Sequence, residues 1–200
     1  MDLIYLSLIL LAYLSGSIAS AVLVCQLMTL PDPRIVGSNN PGTTNVLRIG
    51  GRRAAIGTLV GDIVKTALPL LLAFEFNYSI AEVAWLGVFS LLGHCFPLYF
   101  SFRGGKGVTS MLTIISLTLP PLALLAIGCW LISAWAFQRS SVASMMTALV
   151  IPIFANQFYP ELFLPLAFLS AVVFIRHRVN IANIIQGIEP MIGRAKNKSS

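Results

Sequence analysis

The strongest constraint in this sequence is the way its apolar residues are gathered. Seven runs, Leu3 to Leu27, Ala55 to Phe74, Val83 to Phe102, Val108 to Leu119, Leu122 to Phe137, Val142 to Phe158 and Leu162 to Ile175, are separated by short polar connections. A bilayer core about 30 Å thick needs about 20 helical residues, fewer where a helix end is buried in protein. The runs therefore predict an all-α polytopic membrane protein with about seven transmembrane helices, some short, in one domain over residues 1–200. Composition agrees: 57% of the chain is hydrophobic and 10% charged, against roughly 25% charged in an average soluble protein. Such a surface cannot clothe a soluble enzyme, and the pattern also excludes a disordered chain and a secreted disulfide scaffold. The first run follows Asp2 without a basic segment or a small-residue cleavage site, so it is expected to stay as a span.

The charges then orient the spans. Arg34, Arg48, Arg52 and Arg53 lie in the first connection, Arg103 and Lys106 in the third, Arg139 in the fifth, and Arg176, Arg178, Arg194, Lys196 and Lys198 in the tail. The second connection carries Glu75 and Glu82, the sixth Glu161, and the stretch around Pro120 no charge. Basic connections stay in the cytoplasm, which predicts an outside N-terminus and an inside C-terminus. Pro120-Pro121 must then separate two short spans, because one kinked span would place Arg139 outside and Glu161 inside. With the cations dispersed among connections, the net charge of +6 does not describe a nucleic-acid face. Cys25, Cys95 and Cys129 lack metal-binding spacing and read as small buried hydrophobes. No internal repeat is visible, which argues against a secondary transporter.

Four clusters fall in the odd connections and tail. Gly37-Ser38-Asn39-Asn40-Pro41-Gly42-Thr43-Thr44-Asn45-Val46-Leu47-Arg48 combines glycines, neutral donors and a bidentate cation, which suits a phosphate; the alternative is a flexible Gly/Asn loop. His94-Cys95-Phe96-Pro97, then Arg103-Gly104-Gly105-Lys106-Gly107-Val108, sets a glycine-rich turn and a lysine at a helix N-terminus, an anion site by geometry. A membrane-edge turn with snorkelling cations is its plainer reading, and the spacing is not that of a Walker A loop. Ser140, Ser141 and Ser144 open a span and read from spacing as helix caps. His177, between two arginines and before Asn180, is an acid/base candidate, followed by Gly187-Ile188-Glu189-Pro190. Within the second span, Asp62 and Lys65 share a helix face and read as a mutually neutralising pair, and Gly57 and Gly61 as a close helix contact.

Gly-Ser-x-Asn-Pro-Gly-x-Thr-Asn-Val-Leu-Arg, Gly-His-x-Phe-Pro with Gly-Gly-Lys-Gly-Val, Ser-Ser-x-Ala-Ser, and His-Arg-x-Asn-Ile with Gly-x-Glu-Pro occur in this order over nearly the whole chain. In this the sequence resembles the bacterial acyl-phosphate glycerol-3-phosphate acyltransferase family. The resemblance implies transfer of a fatty acyl group from acyl phosphate to the 1-hydroxyl of sn-glycerol 3-phosphate, giving lysophosphatidate and phosphate, the first step of phospholipid synthesis. It also implies a multi-pass protein of the bacterial inner membrane whose site opens to the cytoplasm. Phosphate-binding positions fall on Ser38, Asn39, Gly42, Thr44, Asn45 and Arg48, and on Gly104, Gly105 and Lys106 with His94. Ser141, His177 and Asn180 fall on the remaining polar positions and are the catalytic candidates. The implied partners are acyl phosphate, glycerol 3-phosphate, the lipid bilayer and the enzyme that forms acyl phosphate, with no cofactor, no metal and no nucleic acid. Ala19 stands where the family has proline, Thr66 where it has glycine, and Gln138-Arg139 where it has Arg-Tyr.

The residue inventory suits that chemistry. An acyl phosphate is a mixed anhydride, already activated, so the enzyme must hold two phosphate-bearing molecules together and stabilise an oxyanion. That calls for cations and donors, and only Asp32 and Glu189 among the acids sit plainly in cytoplasmic connections, too few to hold magnesium. The His-x-x-x-x-Asp motif of soluble-type acyltransferases is absent, since His94 is followed at that spacing by Tyr99 and His177 by Ala182. A phosphate or organic-anion transporter gated by Asp62 and Lys65 is the rival reading, and a structural membrane subunit the third.

Overall fold

The structure is a computed structural model that describes residues 2–192. Arg194, Lys196 and Lys198, assigned above to a basic tail, lie outside the described residues. Helix α1 (Leu3–Gly16) is opened by Asp2, whose carboxylate accepts from the Tyr5 N–H at 2.8 Å. It is followed at a 42° bend by α2 (Ser20–Leu27). The first apolar run is thus a broken span, and the break at Ser17–Ala19 leaves the Ile18 carbonyl free of the helical ladder. Helix α3 (Thr43–Glu75) is interrupted at Gly51, whose φ of 73° lies where only glycine is at ease. Helix α4 (Ile80–Cys95) starts with a capping box between Ser79 and Glu82.

The third run was expected to continue to Phe102, but α4 stops at Cys95 and is followed by a 3₁₀ turn at Leu98–Phe100. Pro97 disfavours helical geometry at Phe96, and Ser101 and Phe102 adopt positive φ. Helix α5 (Val108–Thr118) and α6 (Pro120–Phe137) meet at Leu119, with Pro120 at the first position of α6, where its missing N–H costs nothing. Pro120-Pro121 therefore separates two helices. Helix α7 (Ser140–Phe158), a 3₁₀ turn at Pro160–Leu162, α8 (Phe163–Arg176) and α9 (Arg178–Ile185), bent 53° from the preceding segment, complete the described chain.

Among the described residues four segments can cross a bilayer by length and apolarity: α3, α4 with its following turn, α6 and α7; the bent pair α1 with α2, and α8 with its flanking turn and α9, raise the number to six. The remaining apolar helix, α5, has 11 residues and rises only about 16 Å. It is nevertheless central: Met111, Ile114 and Ile115 are fully buried with Leu70, Leu86, Leu91 and Leu166, and α5 packs against α3, α4, α6 and α8. Outward-facing Leu124, Leu131 and Trp135 remain exposed, as a lipid-facing surface requires. Gly61 of α3 lies so close to Ser20 of α2 that a Cβ there would collide with it, as expected of the glycine pair. Cys25 and Cys95 are buried and Cys129 is half-buried.

The two ends of the bundle differ. At one end Tyr5 Oη donates to the Glu82 carbonyl at 2.9 Å and Tyr78 Oη to Asp2 Oδ1 at 2.7 Å, the two rings lying 5.1 Å apart. The other end gathers the glycine-rich connections, the start of α7 and the end of α8.

Candidate active site

The glycine turn at that second end is held from two sides. Below it lies His94, in the last turn of α4: the Gly105 N–H donates to the His94 carbonyl at 3.1 Å. A Cβ on Gly105 would collide with the His94 ring, and one on Gly104 with its carbonyl. Above it, Arg176 at the end of α8 donates from Nη2 to the Gly104 carbonyl at 2.9 Å and from Nε to that of Gly105 at 3.0 Å, its guanidinium lying over the Phe96 ring. Gly107 then turns the chain into α5 at φ 82°, with no side chain capping the helix, so the first-turn N–H groups of α5 are available to an anion. Lys106 stands between these elements with no hydrogen bond or ion pair among the described residues. Burial pushes its ammonium down to about 8; Glu189 opposes the fall and Arg176 and Arg48 add to it.

Glu189 organises the second half of the site. Its Oε1 accepts from Ser141 Oγ at 2.5 Å and from Asn180 Nδ2 at 2.7 Å, and its Oε2 from Asn183 Nδ2 at 3.3 Å. The segment carrying it is fastened by the Ile192 N–H to the Gln138 carbonyl at 2.8 Å and by Arg48 Nη2 to the Met191 carbonyl at 3.2 Å. Ser141 is therefore not the helix cap that spacing suggested: Arg139 is the N-cap of α7 without a side-chain bond, and Ser144 turns back to the Ser140 carbonyl. The amide of Asn180 goes to Glu189 and makes no hydrogen bond to His177 among the described residues. His177, buried, is oriented by its own helix, with Nδ1 2.7 Å from the Val173 carbonyl. An imidazole that donates from Nδ1 keeps Nε2 as an acceptor. The charges of Lys106, Glu189 and Arg176 all reach this ring. Buried Arg48 Nε and Asn180 Oδ1 have no protein partner among the described residues, which leaves one donor and one acceptor for a ligand.

The first connection divides into organisers and exposed groups. Asn45 Nδ2 donates to the carbonyls of Pro33 at 3.0 Å and Val36 at 2.9 Å, while its Oδ1 accepts from the Ser38 N–H at 2.9 Å. Its amide thus folds the loop. Ser38 and Asn39 are exposed, Asn39 at φ 55°, Gly42 is the N-cap of α3 and Thr44 is half-buried. No hydrogen bond among the described residues joins Ser38, Asn39 or Thr44 to the glycine turn; Arg48 and Pro41 make the approach from this connection. Under the turn, a small cavity is lined by Pro41, Asp62, Lys65, His94, Gly104 and Gly105. There Asp62 Oδ1 lies 2.9 Å from Lys65 Nζ and 3.5 Å from His94 Nδ1, so the expected pair has a third member.

Sequence reasoning quoted Glu189 and Arg176 within motifs but gave neither a role. The signal for Glu189 was an acid in an otherwise basic tail; for Arg176 it was adjacency to His177.

Cations and neutral donors gathered at one end of a membrane-spanning helix bundle define an integral-membrane protein built to hold phosphorylated molecules at one face. A family model described as glycerol-3-phosphate acyltransferase matches residues 6–187. The glycerol-3-phosphate acyltransferase of Shewanella woodyi is 44% identical over 191 residues, covering 96% of this chain and 95% of that protein. That of Pseudomonas savastanoi pv. phaseolicola is 44% identical over 179 residues, covering 89% and 93%. The crystal structure of PlsY (YgiH), an integral membrane glycerol 3-phosphate acyltransferase, in its glycerol 3-phosphate form superposes with a TM-score of 0.88 at 32% identity over 94% of this chain and 96% of that one. Its lysophosphatidic acid form gives 0.83 at 28% identity over 94% and 95%. The chain belongs to the glycerol-3-phosphate acyltransferase family.

Proposed function

We propose that residues 1–200 act as one unit that transfers a fatty acyl group from acyl phosphate to the 1-hydroxyl of sn-glycerol 3-phosphate. The site faces the cytoplasm from the bacterial inner membrane. The observation that carries this reading is Lys106, an ammonium with no hydrogen bond or ion pair among the described residues, placed with Arg48 near the open N-terminus of α5. Family membership supports the acceptor. PlsY structures in glycerol 3-phosphate and lysophosphatidic acid forms are the acceptor and the acylated product that such a transfer connects.

In this reading Lys106, the α5 N–H groups and Arg48 hold phosphate, with Gly42, Thr44, Ser38 and Asn39 closing over it from the first connection. The glycerol oxygen attacks the acyl carbonyl, forming the new ester C–O bond. Collapse of the tetrahedral intermediate breaks the bond to phosphate, which leaves as inorganic phosphate. The hydroxyl proton ends on that phosphate, directly or through His177 Nε2. Holding both substrates together supplies most of the acceleration, through orientation and a preorganised field. Ser141 and Asn180 act through Glu189, which fixes the wall opposite Lys106. Neither a cofactor nor a protein-bound acyl group has a place in the scheme, and the bilayer supplies the acyl donor laterally, where the acyl-phosphate-forming enzyme would deliver it.

Turnover of labelled glycerol 3-phosphate by the purified protein tests this reading, with loss of at least tenfold expected in Lys106→Ala and in Arg48→Ala. Near-normal turnover in both folded variants would contradict it.

A further inference from the structure

Two charged residues in a membrane-spanning helix call for an explanation beyond mutual neutralisation, because a buried pair can often be replaced by apolar residues without loss. Asp62 and Lys65 are both buried, and their surroundings are more directional than neutralisation needs. Lys65 Nζ donates to the Ile18 carbonyl at 2.6 Å, the group released by the break between α1 and α2. Ser15 Oγ donates to the Lys65 carbonyl at 2.6 Å. One residue on, Thr66 Oγ1 donates 3.1 Å to Ser110 Oγ in the first turn of α5. Asp62 Oδ1, already beside Lys65, also lies 3.5 Å from His94 Nδ1, a buried nitrogen that makes no hydrogen bond among the described residues. A single turn of α3 thus touches the α1/α2 break, the end of α4 and the start of α5. Those last two elements flank the turn that carries Lys106.

We propose that Asp62 is a positioning residue for acyl transfer: by fixing the His94 ring on which Gly104 and Gly105 rest, it sets where Lys106 stands. The contact surface makes the transmission direct, since a Cβ at Gly105 would already overlap the ring and any tilt of His94 must displace the turn. Lys65 balances the carboxylate and ties it to the Ile18 carbonyl. The proposal rests on the reading of Lys106 as a phosphate ligand.

The test compares KM values for glycerol 3-phosphate and acyl phosphate in full-length purified variants, alongside thermal unfolding. Lys106→Ala identifies the substrate whose KM depends on that ammonium. Asp62→Asn is expected to raise the same KM at least tenfold and leave the other within about twofold. The paired substitution Asp62→Leu with Lys65→Met removes both charges; it is expected to regain the unfolding midpoint lost in Asp62→Asn while keeping the raised KM. Wild-type KM values in that paired variant would overturn the positioning role and return Asp62 to charge balance. His94→Ala, which leaves the Asp62–Lys65 pair intact, must show the same selective rise, so the proposal stands or falls on it if the paired variant does not fold. Lys106→Ala with both KM values unchanged would overturn the anion-site reading, and the positioning role with it.

Discussion

Ser141 donates its hydroxyl to Glu189 at 2.5 Å across a separation of 48 residues, and the carboxylate simultaneously accepts from Asn180. The serine is thereby engaged as a donor to a weak base, a poor arrangement for a nucleophile, which needs a stronger base to take its proton. Incubation with labelled acyl phosphate alone should therefore leave no acyl group on the protein. A stoichiometric, turnover-competent acyl-Ser141 would require a ping-pong mechanism.

The same relationship predicts stability. Glu189→Ala leaves the buried Ser141 and Asn180 donors unpaired, at about 1 to 3 kcal/mol for each unsatisfied group, and should lower the thermal midpoint and activity together. Glu189→Gln restores an acceptor and should recover most of the midpoint. Equal midpoints for the alanine variant and the parent would mean that the segment around Glu189 does not brace the site.

Lys106 gives a pH dependence with a defined sign. Burial lowers its pKa to about 8, and a lysine is cationic below its pKa and neutral above it. Its attraction for phosphate is therefore present at neutral pH and fades as pH rises through about 8, so kcat/KM should fall along an alkaline limb there. Lys106→Arg, which stays charged over this range, should remove that limb whatever its absolute rate. An unchanged limb in the arginine variant would assign it to another group.

Arg176 holds the carbonyls of Gly104 and Gly105 with a planar fork that a single ammonium cannot match. Two charge-assisted bonds at about 1.5 to 3 kcal/mol each support a loss of tenfold or more in kcat/KM for Arg176→Lys, with the fold retained in circular dichroism. Wild-type kinetics would show that His94 alone suffices to seat the turn.

The all-α membrane-spanning architecture was legible in the sequence because lipid imposes length and apolarity on every span, but the number of spans was not: seven apolar runs become four to six described segments able to cross. Nor was the end of α4. Phe96, Leu98, Tyr99 and Phe102 are apolar enough to extend the run, and Pro97 and the positive φ of Ser101 and Phe102, which end it, leave hydropathy unchanged. The break at Ser17–Ala19 carries no proline and is recognisable only through Lys65, which claims the freed Ile18 carbonyl. In the site, spacing assigned Ser141 to a cap because a cap is local, whereas its partner Glu189 comes from the far end of the chain. Asn45 shows the converse: a residue matched to phosphate binding has its amide engaged by Pro33, Val36 and Ser38.

The orientation in the membrane can be read with Ser101 and Glu161, both exposed and at opposite ends of the bundle. In a background without Cys25, Cys95 and Cys129, Ser101→Cys should label only after a reagent reaches the cytoplasm, and Glu161→Cys from the periplasm. Labelling of both from one side would contradict the proposed topology, and exchange of the two sides would reverse it.

The most direct test of the central claim is donor choice. Purified protein is supplied with labelled glycerol 3-phosphate and, in separate reactions, acyl phosphate, acyl-CoA or acyl carrier protein carrying the same chain. The account predicts labelled lysophosphatidate and stoichiometric release of inorganic phosphate with acyl phosphate, and background label with both thioesters. Product formed from a thioester and not from acyl phosphate would contradict it.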